Sequence, residues 1–442
     1  MTRSTRSIED VALTRFHRLL TLRSAGGSFV DGYILSIIGI ALMPTSAALN
    51  LSSFWEGMIA ASALIGIFFG GFLGGSLTQR LGRKRVYFIG PILFVVASLA
   101  QYWVSDPLTL FVLRLILGIA VGIEYPVATA MLVEFMPKKY RGPRLAWFMI
   151  IWFAGAAVAY GLGELILRIG GVDAWRLVLA SGAVFGLALI WVRIGSLESP
   201  RWLLSKGRPK EAEQIIKAVY GPAFSLENLP EEPQTQSLST WSLLRAGYGR
   251  RMFFVSAFWT CSIIPLFGVY AFAPKVMSSL NLEGDLASSA SFGITLLFIA
   301  GCAVAAKLIN TLGRRNLLLL SLLLSGVSLL GLGIMHASGP VGVLVLFGLY
   351  AVSSGGAQVL ALVYPNEIFP TEIRTQAVGL GTSLSRIGAA LGTYLVPISL
   401  QGYGIELTMY AAAAITFFGL AVSWMLAPET RSMSLQQAAA LS

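Results

Sequence analysis

Residues 75–84 read Gly-Ser-Leu-Thr-Gln-Arg-Leu-Gly-Arg-Lys, and residues 306–315 read Ala-Lys-Leu-Ile-Asn-Thr-Leu-Gly-Arg-Arg. Both stretches follow an apolar run and share a Leu-Gly-Arg centre. Their glycines, Gly82 and Gly313, are separated by 231 residues. A polar motif repeated after two apolar runs suggests that one half of the chain is a copy of the other.

Two further motifs recur at nearly the same separation. Glu134 and Glu367 each open a Glu-x-x-Pro-x-x-x-Arg motif, and they are 233 residues apart. Glu198 and Glu429 each follow an apolar run, 231 residues apart. Three motifs at almost one offset indicate parallel repeats, an arrangement typical of carriers whose two halves rock about a shared site.

Composition places the chain in a membrane. Of its 442 residues 56% are hydrophobic and 12% are charged, whereas a soluble domain carries about 25% charged residues. A spanning helix needs about 20 mostly apolar residues. The sequence therefore predicts an all-α membrane protein with twelve transmembrane helices in two pseudo-symmetric six-helix bundles. The predicted spans are residues 25–47, 55–78, 86–104, 108–133, 145–168, 175–196, 251–274, 288–309, 316–336, 340–364, 375–399 and 406–427.

The net charge of +11 is concentrated in the loops after the even-numbered spans, and there is no basic stripe suited to nucleic acid. Because Lys and Arg favour cytoplasmic loops, we predict that both termini are cytoplasmic. The predicted organisation is a cytoplasmic tail (1–24), a six-helix bundle (25–196), a cytoplasmic linker (197–250), a second bundle (251–427) and a cytoplasmic tail (428–442).

The sequence argues against enzymatic and ATP-driven functions. It has two cysteines, Cys261 and Cys302, both inside apolar runs, and two histidines, His17 and His336, outside the centres of the spans. There is no phosphate-binding glycine loop of the P-loop type. We expect no metal and no cofactor, and a membrane-bound enzyme or receptor is the least favoured class.

The repeated motifs, together with Glu-Ser-Pro-Arg-Trp at residues 198–202, resemble the sugar-porter-like branch of the major facilitator superfamily. Asp-Gly-Tyr at 31–33 and Glu-Tyr-Pro at 124–126 are similar to bacterial inner-membrane members of that branch. The resemblance implies a monomeric secondary transporter in a bacterial inner membrane. It would move a small-molecule substrate by alternating access and use the proton gradient as its energy source.

The loop motifs are candidate gating elements. Gly82 and Gly313 allow tight turns, and the arginines after them can meet carboxylates or helix C-termini. Such pairs would latch the inner gate, or they would serve only as topology anchors. The family has Asp where this chain has Gln79. The gating set is Gln79, Arg80, Gly82, Arg83, Glu134, Arg141, Glu198, Arg201, Asn310, Gly313, Arg314, Glu367, Arg374 and Glu429.

Ionisable residues inside a span are costly and usually functional. Asp31 lies in the first predicted span, and Arg114 and Glu124 lie in the fourth. We predict that these three residues couple transport to protons, because burial favours the neutral form of a carboxyl group. The alternative is a structural ion pair or a capping acid. Sugar porters pair the fourth-span arginine with an acid at the place of Ile34, whereas here the acid precedes the Gly-Tyr pair as Asp31.

Arg386 lies in the eleventh predicted span, and its guanidinium has paired N–H donors suited to binding the carboxylate of an anion. The alternative is that Arg386 pairs with a neighbouring acid or helix end. The predicted substrate-binding set is Arg386, Trp152, Trp259, Tyr270 and Gln358. Hexose-type sugar porters have a glutamine in span 5, where this chain has Met149, and a Gln-Gln pair in span 7, which is missing here. An organic acid is therefore favoured over a hexose. A proton-driven exporter of drugs or metabolites and a true sugar:proton symporter are the alternatives. Glu164 in the fifth span is a weaker candidate.

Overall fold

The computed structural model describes residues 8, 11–229, 248–279, 285–309, 311–334, 340–369 and 371–431. These residues form helices joined by short turns, without strands. The helices of the first half are α1 (Arg15–Leu49), α2 (Ser53–Leu81), α3 (Arg83–Ala100), α4 (Pro107–Phe135), α5 (Lys138–Gly170), α6 (Trp175–Ala180) and α7 (Gly182–Arg193). Then come α8 (Pro200–Ser205) and α9 (Pro209–Tyr220). The second half contains α10 (Gly249–Ser279), α11 (Asp285–Leu308), α12 (Arg314–Ile334), α13 (Pro340–Ile368), α14 (Thr371–Gly402) and α15 (Gly404–Leu426).

The predicted spans correspond to these helices. Within the described residues, eleven helical segments are long and apolar enough to cross a membrane. Helix α14, with 32 residues, lies where the eleventh span was predicted, and its length of about 48 Å exceeds the hydrocarbon thickness. The all-helical, two-bundle prediction is therefore confirmed. The predicted segment boundaries, including those of the linker, stay predictions.

Local details differ from the predicted spans. Helix α1 begins ten residues before the predicted first span, because Thr14 and His17 form a capping box there. The sixth span is interrupted at Ser181, whose hydroxyl bonds the Val178 carbonyl and the Tyr33 hydroxyl. Helix α10 contains a non-helical residue, Phe272, two positions before Pro274, which cannot donate a helical hydrogen bond.

Packing repeats between the halves as the sequence motifs do. In the first half α1 packs against α5 and α2 against α4, and in the second half α10 packs against α14 and α11 against α13. Across the interface between the halves, α1 contacts α10, α2 contacts α14 and α5 contacts α11. The contact of α2 with α14 and the contact of α5 with α11 join equivalent helices of the two halves, as expected for parallel repeats.

Small residues bring the paired helices together. A Cβ atom added at Gly66 or Gly70 of α2 would overlap the backbone of α4, and one added at Gly118 or Gly122 of α4 would overlap the backbone of α2. Helices in lipid associate through such close backbone approach because there is no hydrophobic force between them.

The halves meet at the span ends that are remote from the glycine–arginine loops. Gly57 of α2 lies against the backbone of Tyr394 in α14, and the Phe54 and Tyr394 rings are 6.1 Å apart. Ser289 of α11 donates a hydrogen bond of 3.0 Å to Glu164 of α5. These ends adjoin loops poor in Lys and Arg, which the sequence predicts to be extracytoplasmic.

Candidate functional site

In the first half, Glu198 and Glu134 organise the first glycine–arginine loop. Gly82 has φ +93°, a conformation that favours glycine, and this turn presents the backbone N–H of Arg83 to the Glu198 carboxylate at 2.9 Å. The Arg83 guanidinium binds Glu134 at 3.0 Å, and the Ser199 hydroxyl donates to the same carboxylate. The end of α4 and the segment between α7 and α8 are thereby tied to the start of α3.

The second half contains the same cluster. Gly313 has φ +85°, and the Arg314 backbone N–H donates to Glu429 at 3.0 Å. The Arg314 guanidinium binds Glu367 at 3.0 Å, and the Thr430 hydroxyl donates to Glu367 at 2.5 Å. The sequence predicted the arginines and the glutamates of these clusters; Ser199 and Thr430 were not predicted.

Each cluster joins helices of one half only, so these contacts brace a bundle. A latch between the halves stays a prediction. Arg80 is exposed and Arg201 is half-buried. The side chains of Gln79, Arg141 and Arg374, and the whole of Asn310, lie outside the described residues.

Asp31 lies in the middle of α1 with 3% of its surface exposed. Its Oδ1 atom has no hydrogen-bond partner among the described residues. Helix α1 touches α5 here, since a Cβ atom at Gly32 would overlap the Trp152 carbonyl oxygen. Asp31 is within electrostatic range of Glu124, Arg193 and Arg386. A buried carboxylate with an oxygen that no described group binds can take up and release a proton.

Glu124 is held by a residue that the sequence analysis missed. Arg193, at the end of α7 and fully buried, donates from Nη1 to Glu124 Oε2 at 2.8 Å and from Nη2 to Oε1. Its guanidinium also stacks 3.5 Å from the centre of the Tyr87 ring and donates to the Tyr87 carbonyl at 2.6 Å. Both oxygens of the carboxylate are therefore engaged within the first half.

Arg114 makes a different contact from the one expected of a proton-coupling arginine. Its Nη2 donates to the Ile34 carbonyl at 3.2 Å, while Nε and Nη1 have no partner among the described residues. Arg114 and Glu124, which lie in the same predicted span, do not form a pair, because the carboxylate of Glu124 is bound by Arg193 at the end of α7.

Arg386 of α14 lies at the interface between the halves. Its guanidinium is 5.5 Å from the centre of the Phe267 ring on α10, and its Nε has no hydrogen-bond partner among the described residues. The Phe267 ring lies 6.1 Å from the Trp152 ring on α5. Arg386 is within electrostatic range of Asp31 and Tyr125. Tyr125 of α4, which interacts electrostatically with Arg386, is 40% exposed.

The other predicted substrate residues have different surroundings. Trp259 is buried and packs against Gly381 of α14, which favours a packing role. Gln358 of α13 is 3% exposed and its Nε2 donors have no partner among the described residues. The side chain of Tyr270 lies outside the described residues.

Glu164 belongs to the contact between the halves. It accepts from Arg168 of its own helix at 2.5 Å and from Ser289 of α11 at 3.0 Å. Besides Ser199 and Thr430, the sequence analysis missed Arg193, Phe267 and Ser289. For Arg193 a signal existed, because it is an arginine at the end of the sixth apolar run. An ordinary Phe and Ser in apolar runs gave no signal.

Comparison with known proteins agrees with this architecture. A family model described as "Sugar (and other) transporter" matches residues 20–441. The metabolite transport protein YaaU of Escherichia coli is 38% identical over 98% of this chain and 96% of its own length. The inner membrane metabolite transport protein YgcS of the same organism is 34% identical over 97% and 95%.

A solved structure shares the fold. The partially occluded, inward-open conformation of the xylose transporter XylE from Escherichia coli superposes with a TM-score of 0.80, covering 94% of this chain and 100% of that one at 20% identity. The duplicated helices, the paired loop clusters and these relatives lead to one assignment. The chain belongs to the sugar transporter family of the major facilitator superfamily and is a secondary membrane transporter, not an enzyme.

Proposed function

We propose that this protein carries a small organic acid into the cell together with a proton, by alternating access of a site between its two halves. The observation that supports this proposal is the placement of Arg386, from the second half, within electrostatic range of Asp31, from the first. A cation and an acid from opposite bundles can be separated or joined as the bundles rock, which links the charge state of the site to its conformation.

The proton is assigned to Asp31, because Glu124 is poorly suited to carry it. Protonation of Glu124 would leave Arg193 buried without its counter-charge, and breaking a buried ion pair on one side costs about 3–5 kcal/mol. Asp31 has an oxygen without a partner, so a proton added there breaks no described bond. Glu124 and Arg193 then form a permanent neutral pair that shapes the bundle around Asp31.

Charge balance explains how such a site would couple the two solutes. In the empty carrier the Asp31 carboxylate offsets the charge of Arg386. In the loaded carrier the proton neutralises Asp31, and the carboxylate of the substrate balances the charge of Arg386 instead. A carrier with only one of the two solutes has an uncompensated charge in a region of low polarity, which is strongly disfavoured. Only the empty and the fully loaded forms would reorient readily.

The surroundings of Arg386 favour an acid with an aromatic or apolar body. The guanidinium can bind a carboxylate through two parallel hydrogen bonds. The Phe267 ring lies 5.5 Å from the guanidinium, and the Trp152 ring lies 6.1 Å from the Phe267 ring. Tyr125 is within electrostatic range of Arg386. A flat apolar substrate would lie against these rings, while its carboxylate reached Arg386.

Uptake into vesicles containing the purified protein tests this proposal. Labelled benzoate, lactate and glucose serve as probes, with and without an inward proton gradient. We expect gradient-driven accumulation of at least one acid. Asp31→Asn should abolish accumulation but retain exchange of labelled for unlabelled acid. Arg386→Lys should raise the apparent substrate constant about tenfold, because lysine keeps the charge but lacks the paired N–H donors of the guanidinium.

Asp106→Asn is the matched control, because Asp106 caps α4 in a loop through the backbone N–H of Thr109 at 2.9 Å, and Asn caps equally well. Its accumulation should equal that of the wild type. Accumulation of glucose but of neither acid would overturn the choice of substrate, and unchanged gradient-driven accumulation by Asp31→Asn would remove Asp31 from the coupling.

Sugar:proton symport is the second candidate. The buried Gln358 amide with unpartnered Nε2 donors is a group suited to sugar hydroxyls, and the family description includes sugars. This candidate predicts that Gln358→Ala abolishes glucose or xylose uptake, whereas Arg386→Lys leaves it unchanged.

A further inference from the structure

His17 is a buried histidine of the first half that lies outside the proposed transport site. It belongs to the first turn of α1, at the predicted cytoplasmic end, and has a relative exposure of 0%. Its ring packs against the rings of Phe16 and Tyr220, with centres 5.7 Å apart in both cases. The Phe16 ring also lies 5.2 Å from that of Phe135. His17 is thus placed where the start of α1 meets the end of α4 and the end of α9.

Two backbone groups fix the protonation state of the His17 ring. The backbone N–H of Thr14 donates to His17 Nδ1 at 3.1 Å, so Nδ1 carries a lone pair. The Phe135 carbonyl oxygen lies 3.1 Å from Nε2, and because a carbonyl can only accept, Nε2 carries the hydrogen. Neither backbone group can reverse its role. The ring held in this way is therefore the neutral Nε2–H tautomer.

Protonation of Nδ1 is incompatible with these contacts. The Thr14 hydroxyl, 2.8 Å from Nδ1, can rotate to accept from an added proton, but the Thr14 backbone N–H would then face a second N–H. No acid among the described residues forms an ion pair or a hydrogen bond with His17. Because a buried charge without a partner is strongly disfavoured, we expect a protonated ring to leave this position for water.

The titratable groups on the helices around His17 are engaged elsewhere. Tyr220 faces His17 from α9, and its hydroxyl donates to the Phe135 carbonyl at 2.7 Å. Glu134, next to Phe135 in α4, is bound by Arg83. Other charged residues nearby in the chain are Arg15 and Arg18, exposed on α1, and Lys217, which pairs with Glu213 of α9 at 2.7 Å. The side chains of Lys138 and Lys139, at the start of α5, lie outside the described residues.

We propose that His17 is a pH-sensitive switch at the cytoplasmic end of the first half. The neutral ring caps α1 and binds the end of α4, whereas the protonated ring releases the first turn of α1 from α4 and α9. Histidine ordinarily titrates at about pH 6.5, so this junction is closed at neutral pH and opens as the pH falls below that value. Because α1 also carries Asp31 and contacts α10 of the second half, its release slows uptake when the cytoplasm is acidic. That last consequence rests on the proposed function.

Histidine NMR and hydrogen exchange of the purified full-length protein test the switch without any substrate. His336 is the only other histidine, so His336→Gln leaves a single ring signal. That signal should report the Nε2–H tautomer at pH 8 and a protonated ring at pH 5.5. Over the same range, the amides of residues 18–21, which bond to carbonyls of the first turn, should exchange about tenfold faster than the intrinsic effect of pH accounts for, because the helix end opens.

Two variants of His17 separate this switch from other effects of pH. His17→Gln is neutral at every pH and should keep slow exchange at pH 5.5, whereas His17→Lys has a permanent charge and should exchange rapidly at both pH values. A ring that stays neutral at pH 5.5, an Nδ1–H tautomer at pH 8, or equal acceleration in the wild type and His17→Gln would overturn the switch.

Vesicle uptake tests the link to transport separately. For an acid that the protein accumulates, the inner pH is lowered from 7.5 to 5.5 at a constant pH difference across the membrane. Uptake by the wild type should slow more than uptake by His17→Gln, and equal slowing of both would overturn the regulatory role. Absence of acid uptake would contradict the proposed function and leave the exchange and NMR results on the switch unaffected.

Discussion

Glu124 and Asp31 are both carboxylates buried in the first half, yet their surroundings differ. Glu124 has both oxygens bound by Arg193, whereas Asp31 has one oxygen without a partner. The first arrangement is stable only while both charges persist, and the second tolerates a change of charge. The identity of the hydrogen-bond partner, more than depth in the membrane, therefore separates a structural acid from one that can titrate.

This distinction predicts how single substitutions change stability. Glu124→Gln and Arg193→Met should each destabilise the protein by about 3–5 kcal/mol, because each leaves one buried charge without its partner. The double variant should recover much of that loss. Asp31→Asn should cost less than either single variant. The measurement is Tm in detergent, and the idea fails if the double variant is less stable than both single ones.

The sequence could identify these charges but not their partners. Asp31, Glu124, Arg114 and Arg386 stand out because an ionisable residue in an apolar run is rare. Which residues pair depends on how the helices pack. Arg193 is 69 residues from Glu124 in the chain, and no periodicity relates the two. The aromatic surroundings of Arg386 come from other helices for the same reason.

At the scale of the helix, the glycines shared by α2 and α4 set how closely the two helices approach. Gly118 lies against the carbonyl of Ala63, and a side chain there would meet backbone atoms that cannot rotate away. On the same α2 helix, Gly71 has open space around its Cα atom. The same residue type is thus indispensable at one site and replaceable at another.

Gly118→Ala should therefore lower Tm, with a loss of about 1–3 kcal/mol as for other overpacked cores, because the added methyl group pushes α2 away from α4. Gly71→Ala is the matched control, and it should leave Tm unchanged or raise it slightly, since alanine favours helix. Equal Tm values for the two variants would show that the glycines do not set the spacing of the helices.

The helices themselves were largely predictable because spans are long apolar runs separated by short polar loops, a strong signal. The interruption at Ser181 was missed. It depends on side-chain hydrogen bonds, such as that between Tyr33 and Ser181 at 2.5 Å, which hydropathy does not detect.

Across the whole molecule, the charge balance proposed for Asp31 and Arg386 predicts how transport responds to a membrane potential. A proton carried with a monovalent acid moves no net charge, so accumulation driven by a proton gradient should be the same with and without an imposed potential. A proton carried with a neutral sugar moves one charge, for which 100 mV supplies about 2.3 kcal/mol. Vesicles with a potassium–valinomycin potential at fixed pH gradient distinguish the two. Acid uptake that rises steeply with potential would contradict the proposed charge balance.

The contact between the halves at the predicted outer ends gives a final test of alternating access. Phe54 of α2 and Tyr394 of α14 have ring centres 6.1 Å apart, and the two helices belong to different bundles. If transport requires these ends to separate, a short bis-methanethiosulfonate that bridges Phe54→Cys and Tyr394→Cys should abolish uptake, and a reductant should restore it. Cys261 and Cys302 are buried, so the two single-cysteine variants serve as controls and should keep their uptake after the same treatment. Full transport by the bridged protein would mean that the two ends stay together throughout the cycle, and the access path would then have to open elsewhere along the interface.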